Sequence, residues 1–229
     1  MRWSTETPMQ MNTVFKNNHF VVIEKPAGTL STPSRMGRTD PRPVVGILLQ
    51  QNLGQKIYPV HRLDEEVSGL LLFALDDSAH KAANRWFELH EVRKTYEAIS
   101  AAPSIGTPFK PGEVNIWKSK LMRGKKRAYE ADYGKESITK SKLVTFDANR
   151  SIWHLQPLTG RSHQLRYEMS KHGYPINGDS LYGSTDPHQE DGAIALRAVH
   201  LDFSAANRYG DFGLPTTLSL KSIEPITLM

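Results

Sequence analysis

Asp64 is the first residue whose type and surroundings could do chemistry. It lies in the segment HRLDEEVSGLLL, residues 61–72, directly after the strand-like run 57–60. An aspartate carboxylate can act as a nucleophile, a general base or a metal ligand. His61 and Arg62 precede it, and a strand end is a rigid platform for a reactive group. The same pattern also fits a simple turn in which Asp64 pairs with Arg62.

A second group of polar residues lies in the segment TGRSHQLR, residues 159–166. We predict a helix over 162–171 that Gly173 ends. Arg161 and His163 would then lie at its N-terminus, where backbone N–H groups favour a phosphate. Ordinary helix capping explains the same residues equally well.

Tyr96 lies in the segment RKTYEA, residues 93–98, at the start of a predicted strand over 95–101. Its phenol ring could line a pocket. The alternative is a strand tyrosine that packs in the core.

A run of basic residues, KSKLMRGKKR, lies at 118–127 and is predicted to be an exposed loop or hairpin. Its positive side chains are Lys118, Lys120, Arg123, Lys125, Lys126 and Arg127. Such charges could neutralise RNA phosphates. A solvated charged loop without a ligand is the alternative.

In this order and spacing, the segments resemble the motifs of the RluA family of RNA pseudouridine synthases. Residues 61–69 are similar to the family motif HRLDxxTSG, with Val67 in place of the threonine. Residues 159–183 are similar to TGRxHQLRxH followed by GxPIxGDxxYG, with Glu168 where relatives often have histidine. RKTYEA is similar to the family's K-x-Y motif. The resemblance runs from about residue 14 to 203 and implies the form that has the catalytic domain alone.

The resemblance implies an isomerase that converts uridine to pseudouridine in ribosomal RNA, transfer RNA or both, with Asp64 as nucleophile. It also implies that Arg166 pairs with Asp64 and that Tyr96 is the aromatic residue of the pocket. An adjacent guanidinium would keep the carboxylate ionised and oriented. Arg62 is the expected wedge in the space that the base vacates. His61 is expected to orient the loop or to contact the RNA backbone.

The implied reaction adds no atoms and changes no oxidation state, so no cofactor and no metal are expected. The sequence has no glycine-rich nucleotide-binding pattern. The expected partner is a structured RNA, held by Arg161, His163 and the basic run.

The fold prediction follows from the order of apolar segments. Strands are predicted at 20–23, 68–75, 95–101, 143–146, 152–155, 193–203 and 217–223. Helices are predicted at 44–51, at 79–90 with Asp77 or Ser78 as cap, and at 162–171. Short turns between neighbouring strands favour an α+β fold with a mixed, largely antiparallel sheet and flanking helices.

Composition sets the remaining expectations. The 229 residues include no cysteine, which excludes disulfides and cysteine-based metal sites. A net charge of +5 weakly favours a polyanionic partner. We expect a loose tail at 1–13 and one catalytic domain at 14–229. We also expect a cytoplasmic monomer with no membrane segment and no obligatory protein partner.

Two other classes of function compete with this one. The first is a non-catalytic RNA-binding or ribosome-assembly protein on the same fold, although the presence of Asp64 argues against it. The second is a metal-dependent hydrolase that uses His61, Asp64 and His163. The nine histidines show neither HxxxH nor HExxH spacing, which disfavours the hydrolase.

Overall fold

The computed structural model describes residues 11–102, 107–186, 192–206 and 212–223. Eleven strands within these ranges form one sheet. The strands are β1 (Asn12–Lys16), β2 (Phe20–Lys25), β3 (Tyr58–Pro59), β4 (Ser68–Ala74), β5 (Arg93–Ala101), β6 (Val114–Arg123), β7 (Ala128–Glu130), β8 (Lys135–Phe146), β9 (Arg150–Pro157), β10 (Leu196–Asp202) and β11 (Thr217–Ser219). The α-helices are α1 (Val45–Leu53), α2 (Asp77–Glu88) and α3 (Gln164–Lys171).

The strand order is β1-β2-β4-β10-β5-β9-β8-β6-β7, with β3 paired to β4 and β11 paired to β10. Among the strand pairs within the described ranges, β4 with β10 is parallel and the others are antiparallel. Short connections permit this because antiparallel neighbours need only a turn between them. The predicted α+β class with a mixed, largely antiparallel sheet is confirmed.

The strands β2 and β4 form the centre of one half of the sheet, and helices cover both of its faces. Val45 and Leu49 of α1 share a core with Val21, Leu71 and other apolar residues on one face. Trp86 of α2 belongs to the core on the other face, as do two alanines of that helix. A strand buried on both faces has no reason to alternate, which is why residues 68–74 form one continuous apolar run.

The second half of the sheet, β5, β9, β8 and β6, is covered by α3 on one face. In β6 the buried residues alternate with exposed ones, so that Trp117, Ser119 and Leu121 face inward. Sequence analysis missed β6 as a strand because its outward lysines dominated the pattern. The hairpin of β8 and β9 forms as predicted, with its turn at 147–149.

Several boundaries differ from the predictions. The cap of α2 is Asp76, whose carboxylate accepts the N–H of Ala79 at 2.9 Å, and not Asp77 or Ser78. The predicted tail 1–13 overlaps β1 at Asn12 and Thr13, which pair with β2, while residues 1–10 lie outside the described residues. The predicted strand over 193–203 is shortened to β10. Across the described ranges, none of the helices is both long and apolar enough to cross a membrane.

Candidate active site

The three predicted catalytic residues lie together. Asp64, Tyr96 and Arg166 line one cleft of about 130 Å³. Its walls come from the loop 62–67, from the start of β5, from the segment 157–166 and from Leu196. Four segments that are far apart in sequence therefore meet at this cleft.

A larger depression of about 500 Å³ lies elsewhere on the sheet, around Glu97 and Arg197. Glu97 points away from the face that carries Tyr96, as adjacent residues of a strand do. The charged groups of this depression already have partners. Arg197 pairs with Glu24, and Glu97 accepts the N–H of Ile223 at 2.9 Å. The smaller cleft, with its partly exposed carboxylate, is the candidate for chemistry.

The loop that carries Asp64 is held from several directions. The hydroxyl of Ser31 donates to the carbonyl of Leu63 at 2.8 Å and accepts its N–H at 3.0 Å. The carbonyl of Glu65 accepts the N–H of Gly28 at 2.9 Å and the buried ammonium of Lys25 at 3.2 Å. The backbone around Asp64 is thus fixed, while the side chain of Asp64 itself is 36% exposed.

His61 anchors the start of the same loop. Its Nε2 accepts the N–H of Leu72 at 3.1 Å, and its ring stacks on Phe87 with centroids 4.8 Å apart. Burial, and to a smaller extent the charge of Lys94, lowers the pKa of His61 to about 3. The ring is therefore neutral at physiological pH. This geometry favours the loop-orienting role that was predicted for His61 over a charged contact with RNA.

Gly69 explains why the motif needs glycine after Ser68. Its φ is +113°, and an added Cβ would lie 2.3 Å from the carbonyl oxygen of Ala198. At this point β4 and β10 form their parallel pairing, Gly69 with Ala198. Any larger residue would force the two strands apart. Because this strand pairing positions the loop 62–67, which lines the cleft, the contact also helps to fix the cleft.

Arg166 is buried, and its closest partner is Asp179. Its Nε and one terminal nitrogen donate to the two carboxylate oxygens of Asp179 at 2.7 and 2.8 Å, and both side chains are buried. The remaining terminal nitrogen lies 3.0 Å from Glu66 and 3.9 Å from Asp64. Arg166 thus reaches Asp64 at ion-pair range while Asp179 holds the guanidinium in place.

Tyr96 belongs both to the core and to the cleft. It is 8% exposed and packs within the main apolar cluster, which agrees with the alternative that Tyr96 is a core residue. It also lines the cleft, and no described residue forms a hydrogen bond with its hydroxyl. Burial, and then the charge of Asp64, raises the pKa of Tyr96 above its usual value. The phenol therefore stays protonated at neutral pH.

The segment before α3 forms the opposite wall and is organised by Gln164. Its amide nitrogen donates to the carbonyl of Ile138 at 3.0 Å and to the hydroxyl of Thr139 at 2.9 Å. Its amide oxygen accepts from Thr159 at 2.8 Å and from the N–H of Arg161 at 3.0 Å. This bonding pattern closes the turn that presents Arg161 to the cleft.

His163 lies at the N-cap of α3 in a left-handed conformation, with φ of +51°. Its Nδ1 is 3.2 Å from the hydroxyl of Tyr182. The Tyr182 hydroxyl also accepts the N–H of Ala128, at 2.7 Å, and the Tyr182 ring lies 5.3 Å from the guanidinium carbon of Arg166. Through these two hydrogen bonds, Tyr182 links Ala128, the first residue of β7, to His163 in the wall of the cleft.

The basic run is divided by the fold into two groups. All six of its basic side chains are exposed, and none has a hydrogen bond or ion pair with a described residue. Arg123, Lys125, Lys126 and Arg127 lie at the β6–β7 turn, next to Ala128. Lys118 and Lys120 lie within β6, the first strand of the β6–β7 hairpin. Of the two predicted alternatives, the loop is therefore wrong for these residues.

The register shows which face the two strand lysines occupy. Tyr96 pairs with Leu155, Leu155 with Ser141, and Ser141 with Asn115, so these four share one face. Residues 118 and 120 alternate with Asn115 and therefore face the other side of the sheet. They line a groove whose acidic residues are Glu130, Asp132 and Glu136.

Sequence analysis missed several residues of this site. Asp179 and Gln164 were present in the quoted motifs, but spacing alone does not show that one holds Arg166 and the other fixes the turn. Lys94 is the lysine of the K-x-Y motif, but the motif does not show that its side chain lines the cleft. Glu66 gave no signal, because a lone charged residue beside a motif has no distinctive pattern. Among the described residues, no group of three or more His, Asp or Glu side chains could hold a metal ion.

Known proteins match this chain over most of its length. The family model described as RNA pseudouridylate synthase matches residues 19–171. The dual-specificity RNA pseudouridine synthase RluA of Pasteurella multocida is 31% identical over 88% of this chain and 90% of its own length. The chain belongs to the RluA-type family of RNA pseudouridine synthases. The resemblance inferred from its motifs is confirmed.

Other members of the family differ in length. The uncharacterized RNA pseudouridine synthase YhcT of Bacillus subtilis is 32% identical over 76% of this chain, and the chain spans 58% of the length of YhcT. The structure of human RNA pseudouridylate synthase domain containing 1 is similar over 96% of this chain and 94% of its own, with a TM-score of 0.71 and 21% identity. That likeness shows a shared fold.

The two departures from the family motifs are both buried, but only one of them lines the cleft. Val67 is 2% exposed and lines the cleft, so the change from threonine removes a hydroxyl from the pocket wall. Glu168 is buried on the sheet side of α3, and its carboxylate accepts from Ser137 at 3.4 Å. It does not line the cleft, and burial raises its pKa. The substitution at 168 therefore changes packing beneath the helix.

Proposed function

We propose that this protein is an RNA pseudouridine synthase that isomerises uridine to pseudouridine in a structured RNA, which is ribosomal RNA, transfer RNA or both, with Asp64 as nucleophile. One observation carries the proposal. Asp64 is a partly exposed carboxylate on a fixed loop, 3.9 Å from Arg166 and in one cleft with Tyr96. The name of the Pasteurella multocida relative, a dual-specificity RNA pseudouridine synthase, supports RNA as the substrate.

The reaction breaks the bond between the sugar C1′ and N1 of uracil and makes a bond between C1′ and C5. Asp64 either attacks C1′ as the base departs or takes a sugar proton to leave a glycal. In both routes the base turns within the cleft and the proton on C5 finally leaves. The nucleotide must first leave its stack, which costs a few kcal/mol.

Arg166 places a fixed positive charge beside Asp64. Because Asp179 already holds two of its nitrogens, the third can approach the carboxylate without losing the fixed position of the guanidinium. Preorganised charge of this kind stabilises a transition state without reorganisation.

Tyr96 supplies the surface on which uracil stacks. Its raised pKa means that the hydroxyl donates a hydrogen bond and does not act as a base at neutral pH. Asp64 or water is then the acceptor of the proton from C5.

The RNA backbone is held by groups around the cleft. Arg62 is exposed at its rim and is the proposed wedge, and Arg161 and His163 lie on the opposite wall. The β6–β7 turn adds four positive charges. Tyr182 links this turn to the wall of the cleft through Ala128 and His163. We further propose that the chain acts as a monomer in the cytoplasm, which size-exclusion chromatography and cell fractionation would test.

The decisive experiment compares wild type with Asp64→Asn. Pseudouridines are mapped in RNA from cells that lack the protein, before and after incubation with each variant. Wild type should restore at least one missing pseudouridine, and Asp64→Asn should reduce single-turnover conversion at least about a thousandfold while RNA affinity changes little. RNA binding without any conversion by wild type would favour the non-catalytic RNA-binding protein instead.

A further inference from the structure

Lys25, Lys94 and Arg166 are cationic side chains at or beneath the cleft, and two of the three have oxygen partners. Arg166 is paired with Asp179, Glu66 and Asp64. The ammonium of Lys25 donates to the carbonyls of Pro26, Thr29 and Glu65 at 2.8–3.2 Å. Lys94 differs from both.

Lys94 is two residues before Tyr96 on β5 and lines the cleft with it. Its side chain is partly buried, yet no described residue accepts a hydrogen bond from its ammonium or forms an ion pair with it. The ammonium lies 5.6 Å from the ring centre of Phe87. That ring also stacks on His61, which is neutral and supplies no negative charge.

An unpaired ammonium in a partly buried position is costly, because burial removes water without supplying a counter-charge. Burial accordingly lowers the pKa of Lys94. Arg166 and Lys25 show how this fold satisfies a buried cation when the cation serves the structure. Lys94 has no such partner among the described residues, and it lines the cleft, where a group from outside the protein can reach it.

Resting on the proposed function, we propose that Lys94 binds a backbone phosphate adjacent to the uridine that occupies the cleft. A nucleotide drawn out of its stack brings its two flanking phosphates with it. Arg166 is not available to them, because three carboxylates already surround it. Lys94 lies beside the surface on which the base stacks, so a phosphate there would fix the sugar relative to Asp64.

The test is a binding cycle in the Asp64→Asn background, which keeps the RNA unmodified. Lys94→Met preserves the aliphatic stem and removes the charge. The probe is a short RNA stem–loop with one loop uridine, prepared also with an uncharged methylphosphonate at either phosphate that flanks it. Lys56→Met is the matched control, because Lys56 lies 4.7 Å from the ring centre of Tyr58 but outside the cleft.

Lys94→Met should weaken binding of the unmodified stem–loop about tenfold or more, as removal of a charge-assisted hydrogen bond does. The dependence of log affinity on log salt should become shallower by roughly 0.7–0.9. Lys94→Arg should recover part of the affinity, and Lys56→Met should bind like its parent.

The methylphosphonate probes identify the phosphate. In the protein that keeps Lys94, one of the two should weaken binding about as much as Lys94→Met weakens binding of the unmodified RNA. In the Lys94→Met protein, the same methylphosphonate should cause no further weakening, because the ammonium that would pair with that phosphate is already absent.

Two results would overturn the proposal. One is unchanged affinity in Lys94→Met with an unchanged melting temperature. The other is a loss of affinity that is the same with and without each methylphosphonate, which would assign Lys94 to packing against Phe87. Binding is measured without turnover, so these outcomes differ from failure of the proposed function, in which wild type converts no uridine in any RNA.

Discussion

Two charged regions of this protein are built in opposite ways. The nucleophile loop, residues 61–67, lines the cleft, and the basic turn, residues 123–127, is linked to the wall of the cleft through Tyr182. In the loop, backbone groups are bonded to Ser31, Lys25 and Gly28, and His61 is enclosed and neutral. In the turn, every basic side chain is exposed and without a partner among the described residues.

The difference follows from what each region must do. A reactive carboxylate needs a fixed position, because small displacements from productive geometry lose much of the rate. Binding of RNA phosphates needs charges that are free to meet them, since each neutralised phosphate releases counterions. Mutations in the loop and its supports should therefore affect stability and turnover. Mutations in the turn should affect affinity and its dependence on salt.

The largest effect is expected at Asp179, which holds Arg166 from beneath. Asp179→Asn leaves the buried guanidinium short of one charge and should lower the free energy of unfolding by about 3 kcal/mol. Turnover should fall with it. Denaturant unfolding measures the change, and Asp147→Asn is the control because its pair with Arg150, at 3.6 Å, is exposed. Equal effects in both variants would contradict the supporting role of Asp179.

A pH-dependent effect is expected at Lys25, under the nucleophile loop. Burial lowers its pKa from about 10.5 to about 8, although the charges of Asp64 and its neighbours oppose the shift. Between these values the unfolded chain binds more protons than the folded chain, so this group makes stability rise with pH. Compared with Lys25→Met, wild type should gain up to about 3 kcal/mol between pH 8 and 10.5. A difference that stays constant across that range would mean that Lys25 keeps its charge; Lys16→Met, on exposed β1, is the control.

Substitutions at Tyr96 test whether this residue contributes only to packing or also to catalysis. If stacking is its main contribution, Tyr96→Phe should remain largely active, whereas Tyr96→Ala should lose about tenfold or more. Single-turnover conversion with saturating enzyme measures both. Loss of turnover in Tyr96→Phe would instead give the hydroxyl a part in proton movement. Near-normal activity in both variants would reduce Tyr96 to a core residue.

The smallest effect on turnover is expected in the basic turn. Replacing Lys125, Lys126 and Arg127 by alanine should weaken RNA binding most at low salt. It should also flatten the salt slope by roughly 0.7–0.9 for each phosphate that the variant no longer neutralises. Conversion at saturating RNA should change much less.

The matched control for that triple variant is Lys118→Ala with Lys120→Ala, on the other face of the sheet. These two lysines are equally exposed but face away from the cleft. Their removal should alter the salt slope less than the triple variant does. If both variants flatten the slope equally, RNA extends around the edge of the sheet and the division of the basic run has no functional meaning.

Much of the fold was predictable where local pattern and burial agree. The continuous apolar run of β4 and the helical spacing of Ala79, Ala83 and Trp86 both formed as predicted. The strand β6 was not predicted, since its inward residues include Ser119 and its outward residues include Lys118 and Lys120. Polar residues that pack under a helix look like loop residues until their partner is known.

The motifs alone were enough to predict the family and the fold class correctly and to select Asp64, Tyr96 and Arg166 as candidate catalytic residues, because the motifs are local and keep their order. The packing of remote segments was needed to show which carboxylate holds Arg166, which partly buried cation lacks an oxygen partner among the described residues, and which part of the basic run is linked to the cleft through Tyr182. Asp64, Glu66 and Asp179 are alike as carboxylates, and Lys25 and Lys94 are identical as residue types. Their roles differ because burial and distance, which arise when remote segments pack together, set the energy of a charge.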